Sequence, residues 1–433
     1  MVRHAVTWLL AVLALLATPS TAFAQSGTTT PLSELLPQLY QRVIDAGYQT
    51  FAGFTSAVDE DIRFARLDTA FHVNNLLADQ LSSFPLGSSA GGFTWTFEPV
   101  SGTFNRASDS FGPIFAERAL TIGRNKLNFG VNYQRVTFDH LDGKKLRGGE
   151  IVGYTGLATY LGPTTGIFFA DALDLIATTD TVSVFSTYGI SDRLDVGVAV
   201  PINRVSVKAS LTSRTGTSLP PDSTYVVPDL NAIPPAVEER SGTASGIGDL
   251  VVRAKYTFVR RGGGGLAGAA DVRLPTGDER NLLGIAGAQT KVYLVASTAV
   301  SKLSPHVNIG YTVSGESGAA RDPKSNLIAP PDEVNYAGGA DVALSLRTTV
   351  AVDVVGRTLR KVGTLEEAAT VFGSRFQEFR LRSGADLHLL LGSTGIKLNP
   401  VANLLVSANV LFPLSSRGLT DNLTWLLGFD YSF

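Results

Sequence analysis

Charged residues recur at every second position in several stretches of this chain, and in each they share a parity with other polar residues. Around 248–260, Asp249, Arg253 and Lys255 alternate against Leu250, Val252, Ala254, Tyr256 and Phe258. Around 265–275, Asp271 and Arg273 oppose Leu266, Ala270, Val272 and Leu274, and around 304–314 His306 and Asn308 oppose Val307, Ile309 and Tyr311. Around 377–391, Arg380, Arg382, Asp386 and His388 oppose Phe379, Leu381, Leu387, Leu389 and Leu391. Successive strand side chains point to opposite faces, so each stretch predicts a strand with one wet and one greasy face. The wet face can form cross-strand ion pairs, and counting back from the turn at 261–264 brings Arg253 opposite Asp271 and Arg273. It can also select solutes: Arg380 with Arg382 would bias a water-filled interior toward anions.

Catalytic and metal chemistry find less support. The chain has five histidines, of which His72 and His140 fall outside alternating stretches. Ser304 and Asp386 stand near His306 and His388 in sequence, without the local spacing that would mark a nucleophile and its base. No catalytic residue is assigned. The absence of cysteine excludes thiol catalysis, disulfides and cysteine-based metal sites. Gly262 to Gly265 lack the Lys-Ser/Thr and following helix of a phosphate loop, and read as a turn. The pairs Asp139/Asp142, Glu238/Glu239 and Asp332/Glu333 are carboxylates of oxygen-ligand type and read as solvated loop charge. No metal or cofactor is expected. With 36 basic and 38 acidic residues, net −2, the charge balance argues against a nucleic-acid partner.

The elements that must position these faces are strands joined by connections of alternating length. Period two predicts strands near 92–100, 113–123, 126–138, 175–190, 193–208, 248–260, 265–275, 287–300, 304–315, 333–345, 348–359, 377–391, 396–411 and 422–433. Short connections fall at 123–126, 191–192, 261–264, 301–303, 346–347 and 392–395, and long ones at 101–112, 139–174, 209–247, 276–286, 316–332, 360–376 and 412–421. That asymmetry, with an even strand number, is the pattern of an outer-membrane barrel. The fold expected is an all-β, antiparallel transmembrane β-barrel of about 14 strands, with 12 to 16 open, over residues 92–433. A charge on the lipid face would cost ~2–4 kcal/mol at mid-membrane, so the charged parity should face the lumen.

The two ends agree with export. Arg3 and His4 precede the apolar run Ala5 to Ala17, and Ala22-Phe23-Ala24 is a small-x-small site, so residues 1–24 read as a signal peptide cleaved after Ala24. Residues 25–91 read as a periplasmic or plug segment: Leu32, Leu35, Leu36, Leu39 and Val43 are spaced as one helix face. Leu36 and Leu39 are its candidate anchors. A second short helix is expected over 73–81. The final stretch puts Leu423, Trp425, Leu427, Phe429, Tyr431 and Phe433 on one face, and Phe429, Tyr431 and Phe433 resemble the terminal signal read by the barrel-assembly machinery. Trp95, Trp425, Tyr133 and Tyr431 suit an aromatic girdle at the membrane interface.

Three stretches carry a family resemblance. Tyr188 to Val198 resembles a strand-turn-strand unit of outer-membrane barrels. Gly246-Ile247-Gly248-Asp249-Leu250, with Arg253, Lys255 and Tyr256, and then Leu274-Pro275-Thr276-Gly277-Asp278, is similar to the barrel family named for the meta-pathway of phenol degradation. That family is related in style to outer-membrane long-chain fatty-acid transporters. The resemblance implies a bacterial outer-membrane barrel, embedded in lipid, that lets small hydrophobic or aromatic solutes cross passively. The Asn-Pro-Ala motif of fatty-acid transporters is absent from residues 25–90, which argues against fatty acids. A general diffusion porin and a structural or binding barrel without transport remain open readings. A greasy pocket beside the amino-terminal segment would favour the hydrophobic channel. An uncapped polar lumen would favour the porin, and a lumen packed shut the scaffold.

Overall fold

The computed structural model describes residues 30–50, 66–67, 70–71, 73–78, 80, 92–98, 103–106, 108–157, 166–218, 234–316, 329–362, 364–369, 377–382, 384–401 and 403–433. The expected signal peptide and cleavage site after Ala24 lie outside them.

Twelve antiparallel strands close a ring: β1 (Leu127–Phe138), β2 (Gly166–Gly189), β3 (Leu194–Ser218), β4 (Leu250–Arg261), β5 (Gly264–Leu274), β6 (Gln289–Ser297), β7 (Leu303–Ser314), β8 (Glu333–Ser345), β9 (Thr348–Leu359), β10 (Leu387–Val401), β11 (Leu404–Pro413) and β12 (Thr424–Ser432). Neighbours in sequence pair as hairpins, and β12 pairs β1, Trp425 opposite Arg135, to close the wall. Two further strands, Ile151–Leu157 and Ala236–Ile247, pair only with the far halves of β2 and β3, which brings the described sheet to fourteen. The ring is smaller than the expected fourteen because 92–100 and 113–123 are not wall. Trp95–Glu98 and Thr103–Arg106 form a separate hairpin, and residues 108–126 have no ladder partner.

The wall has a short-turn end, with turns near 190–193, 262–263, 298–302, 346–347 and at 403, and a long-loop end. The turn expected at 392–395 is instead mid-strand in β10. Those glycines serve packing: a Cβ at Gly392 would sit 2.6 Å from Phe412, and one at Gly395 would overlap Asn409.

Between the turns and the level of Asp180 and Arg204, alternation runs as expected. On β4, Val252, Tyr256 and Phe258 are exposed outward while Lys255 and Thr257 are buried inward; Leu294, Ile309, Val313, Trp425 and Phe429 continue the outward apolar band. Phe429, Tyr431 and Phe433 all point out, the last two rings edge to face at 4.7 Å. Tyr133 is outward too, its hydroxyl donating to Asp180 at 2.8 Å. Trp95 is not part of any girdle. It sits on the separate hairpin at the short-turn mouth, stacked on Phe93 at 6.3 Å.

Beyond Arg204 the polarity of the same strand reverses. The even face of β3 runs Val196, Val198, Val200, Ile202, then Arg204, Ser206, Lys208, Ser210. Its odd face runs Asp195 to Asn203, then Val205, Val207, Ala209 and Leu211, the last four almost wholly buried. β2 turns over at the matching level, where Thr181 hydrogen-bonds Asn203 at 3.0 Å and Leu173, Leu175 and Ala177 face inward above it. These extensions form a cup with a greasy inside and a polar outside.

Candidate functional site

The amino-terminal segment fills the cup. A 3₁₀ turn, Leu32–Glu34, runs into α1, Leu35–Thr50. Pro37 falls in its first turn, where no backbone N–H partner is needed. Leu32, Leu35, Leu36, Leu39 and Val43 are each at most 4% exposed, packed with the inward leucines and valines of β2 and β3. Leu36 and Leu39, the candidate anchors of a periplasmic or plug segment, lie inside the cup at the long-loop end of the wall. Burial raises the Tyr40 phenol far above its ordinary pKa, with Asp171 adding to the effect. Residues 73–78 are helical in the same cluster, with Val73, Leu76 and Leu77 buried. Arg66 clasps Asp171 with two hydrogen bonds of 2.7 Å, donates to Ser213 at 2.9 Å and lies over the Phe169 ring at 4.6 Å.

Two of the quoted sequence stretches meet to brace this cup. Asp249 accepts from Gly277 N at 3.0 Å and Ile285 N at 2.8 Å, while Thr276 bridges Leu250 N and Gly248 O. Burial raises the Asp249 carboxyl, and those N–H donors offset part of the shift. Asp278 caps the short turn Glu279–Asn281, and Asn281 accepts from Leu32 N at 3.3 Å. The third stretch does a similar job at the opposite end. Asp195 takes Ile122 N at 2.9 Å, and Gly189 lets the interior chain join the wall, since a Cβ there would lie 1.8 Å from Gly123 O.

Residues 108–126 enter the ring from the short-turn end and are held by wall side chains instead of a ladder. Thr349 takes Phe111 N at 3.0 Å; Asp353 takes Ile114 N and Phe115 N at 2.7 and 3.0 Å; Ser297 takes Ala119 N at 2.9 Å. Lys397 donates to Pro113 O at 2.6 Å, and Asn308, with its amide turned to suit, accepts from Glu117 N at 2.6 Å and donates to Glu117 O at 3.1 Å. Two adjacent charges lock the segment to different strands. Glu117 meets Arg253 at 2.5 Å and Lys255 at 3.1 Å, and Arg118 meets Asp341 at 2.6 Å. His306 stands beside them, Nε2 2.6 Å from Asp353 and Nδ1 3.5 Å from Asp341. Both its nitrogens thus address carboxylates and not a hydroxyl. None of these backbone-to-side-chain bonds has a local sequence signal; only the isolated Glu117-Arg118 pair in an otherwise apolar run hinted at them.

Arg253 and Asp271 are direct register partners joined by two 2.6 Å hydrogen bonds. They line a lumenal cavity of about 130 Å³ with Arg273, Lys291, Glu333 and Arg357, beside Asn308, Phe115, Tyr293 and Tyr336. Glu333 is held by Arg357 at 2.5 and 3.0 Å. A second cavity, about 60 Å³, lies toward the long-loop mouth among Val136, Phe138, Leu389, Leu391, Leu411 and Phe412, beside Gln80. Val355 and Arg357 border both cavities.

Four expected lumenal residues lie elsewhere. Arg380 and Arg382 belong to a hairpin, Thr364–Ala369 with Gln377–Arg382, that is separate from the wall. Asp386 precedes β10 and pairs with Arg360 at 2.7 Å. His388 points outward to Thr358 at 2.9 Å, because the inward parity at the top of β10 belongs to Leu387, Leu389 and Leu391. The loop acids have protein partners: Asp139 meets His140 at 2.7 Å, Asp142 takes Gly418 N at 2.8 Å and Asp332 takes Ser314 N at 2.8 Å.

Solved structures similar to this chain include a FadL homologue from Pseudomonas aeruginosa, 11% identical over 71% of this chain and 88% of that one, TM-score 0.31. The translocator domain of the autotransporter NalP from Neisseria meningitidis is 9% identical over 72% and 89%, TM-score 0.31. The toluene transporter TbuX from Ralstonia pickettii is 8% identical over 72% and 90%, TM-score 0.26. No curated protein matches the chain. Apart from Lys397, the wall residues named above as gripping the interior segment, from Asp195 through Arg253 and Lys255 to Asp341 and Asp353, fall within residues 168–385, half of the chain, and over those residues it matches and belongs to the family described as "Putative MetA-pathway of phenol degradation".

Proposed function

We propose that this protein is a bacterial outer-membrane channel for passive passage of small hydrophobic or aromatic compounds, with residues 25–91 and the interior segment 108–126 restricting its lumen. The observation that carries this reading is the apolar cavity beside Gln80 of the amino-terminal segment, lined by Leu389, Leu391 and Leu411 and separated from the charged chamber only by side chains that border both, Val355 and Arg357. A greasy vestibule captures apolar solutes from water by burying their surface, and the polar chamber below keeps them from lodging there. The outward apolar band on strands of 9 to 15 described residues over most of the ring supports a lipid setting. The family description supports aromatic passengers.

A general porin would need a lumen open to water, whereas here the mouth holds α1 and the waist holds Phe115, Glu117 and Arg118. Liposome uptake of a small neutral aromatic such as benzyl alcohol, set beside planar-bilayer ion conductance, tests the reading. Uptake with little conductance is expected. Large steady conductance in the wild type would instead establish a porin, and neither uptake nor conductance would establish a closed scaffold.

A further inference from the structure

The side chains lining the larger cavity number one more cation than carboxylates. Four cationic side chains line it, Arg253, Arg273, Lys291 and Arg357, against three carboxylates, Glu117, Asp271 and Glu333. Each carboxylate is already taken: Asp271 by both arms of Arg253, Glu333 by Arg357, and Glu117 by Arg253 and Lys255. Lys291 stands directly across the ladder from Asp271, yet no described carboxylate lies within ion-pair distance of its ammonium. Its contact is the face of Tyr293, 4.6 Å away, and the Tyr293 hydroxyl is itself turned to Asp271 at 3.2 Å. A lysine parked on a ring in a low-dielectric chamber keeps most of its capacity for an anion. Arg273 lines the same space.

The neighbouring cavity fixes the rest of the ligand. Its wall includes Val136, Phe138, Leu389, Leu391 and Leu411, and it shares Val355 and Arg357 with the lining of the charged chamber. A solute reaching from one to the other would present an apolar body to the leucines and an anionic head to Lys291. We infer that the lumen holds a binding site for small amphipathic carboxylates, single-ring or short-chain acids, with Lys291 as the residue that recognises the head group. This deepens the channel reading and rests on it for the route of entry. Lys397, another lumenal lysine with no carboxylate at ion-pair distance among the described residues, is occupied by the Phe111 and Pro113 carbonyls, whereas Lys291 meets only a ring face.

The test uses the full-length protein and two ring compounds of similar size, benzoate and benzyl alcohol. Calorimetric titration of the detergent-purified barrel is expected to give at least ~10-fold tighter binding of benzoate. Lys291→Met should shrink that preference about tenfold, and Lys291→Arg should restore most of it, with heat-modifiable gel mobility confirming that each variant is folded. High salt should weaken benzoate binding in the wild type and leave benzyl alcohol nearly untouched, which decides the matter even if Lys291→Met does not fold. Equal affinities for the two compounds, or a preference that survives Lys291→Met, would overturn the site. Liposome uptake run in parallel separates the two proposals. Benzoate bound but not passed sinks the channel and leaves the site; both compounds passed at equal rates, with equal affinities, sinks the site and leaves the channel.

Discussion

The membrane-height ring and the cup above it are built from the same strands with the same side-chain parity, yet their faces carry opposite chemistry. Along β3 the even positions are apolar to Ile202 and polar from Arg204, while the odd positions go from Asp195 and Asn203 to Val205 and Leu211. Nothing in the backbone changes at that point; the hydrogen-bonded register with β2 runs unbroken from Gly189 to Gly166. What changes is the surroundings on each side. In the ring, apolar side chains face outward and water-compatible ones face in. In the cup, α1 and residues 73–78 supply the apolar contact from inside and the outer face is left polar. A strand therefore reports which side is dry, and the point where it changes its report marks the edge of the apolar band.

The largest effect should come from breaking the clasp between cup and helix. Arg66→Met would leave Asp171, 3% exposed, as a buried carboxylate without its cation; removing one partner of a buried pair costs ~3–5 kcal/mol. Residues 30–50 should undock, be cut faster by added protease, and allow larger ionic conductance, while the ring stays heat-modifiable on gels.

A charge on the outer face distinguishes the two regions next. Leu294→Arg, on the exposed apolar side of β6, should cost ~2–4 kcal/mol near mid-membrane and lower the amount of folded barrel. Ser210→Arg, on the polar outer side of the cup, should fall within ~0.5 kcal/mol of wild type. Denaturant titration in detergent or lipid would compare them directly.

A smaller effect belongs to the waist. Glu117→Gln removes one carboxylate from Arg253 and Lys255, while Asp271 still holds Arg253 and Asp195 remains 3.9 Å from Lys255. The expected loss is ~1 kcal/mol or somewhat more, read as more frequent brief openings in single-channel records without a change in the folded fraction.

The sequence was legible wherever one rule held. The faces of 248–274 and 422–433, and the Arg253–Asp271 pairing, follow from alternation and a turn at a known place. The rule that charged parity means lumen failed at the top of β10, because Leu387 and Leu389 face the cup's apolar filling there, Leu391 packs on the cluster of Ile114 and Phe115 below it, and His388 is turned out. The swap at Asn203–Arg204 was visible in the residues, but reading 209–247 as one loop concealed it. Residues 113–123 looked like a strand for a different reason. Their backbone is satisfied by Asp353, Ser297 and Asp195, and no local pattern distinguishes those partners from a neighbouring strand. Arg380 and Arg382 were misplaced because a loop hairpin alternates as a wall strand does.

The most direct test of the two-region account is single-cysteine labelling along Leu194–Ser218, made simple by a chain that contains no cysteine of its own. With the protein in membranes and a water-soluble maleimide applied from the long-loop side, cysteines at Arg204, Lys208 and Ser210 should react readily. Those at Val198, Val200 and Ile202 should be shielded by lipid, and those at Val205, Val207 and Leu211 by the packed helix. Equal labelling at Val200 and Ser210, or labelling at Val207 as fast as at Lys208, would contradict a wall that changes its solvent at Arg204.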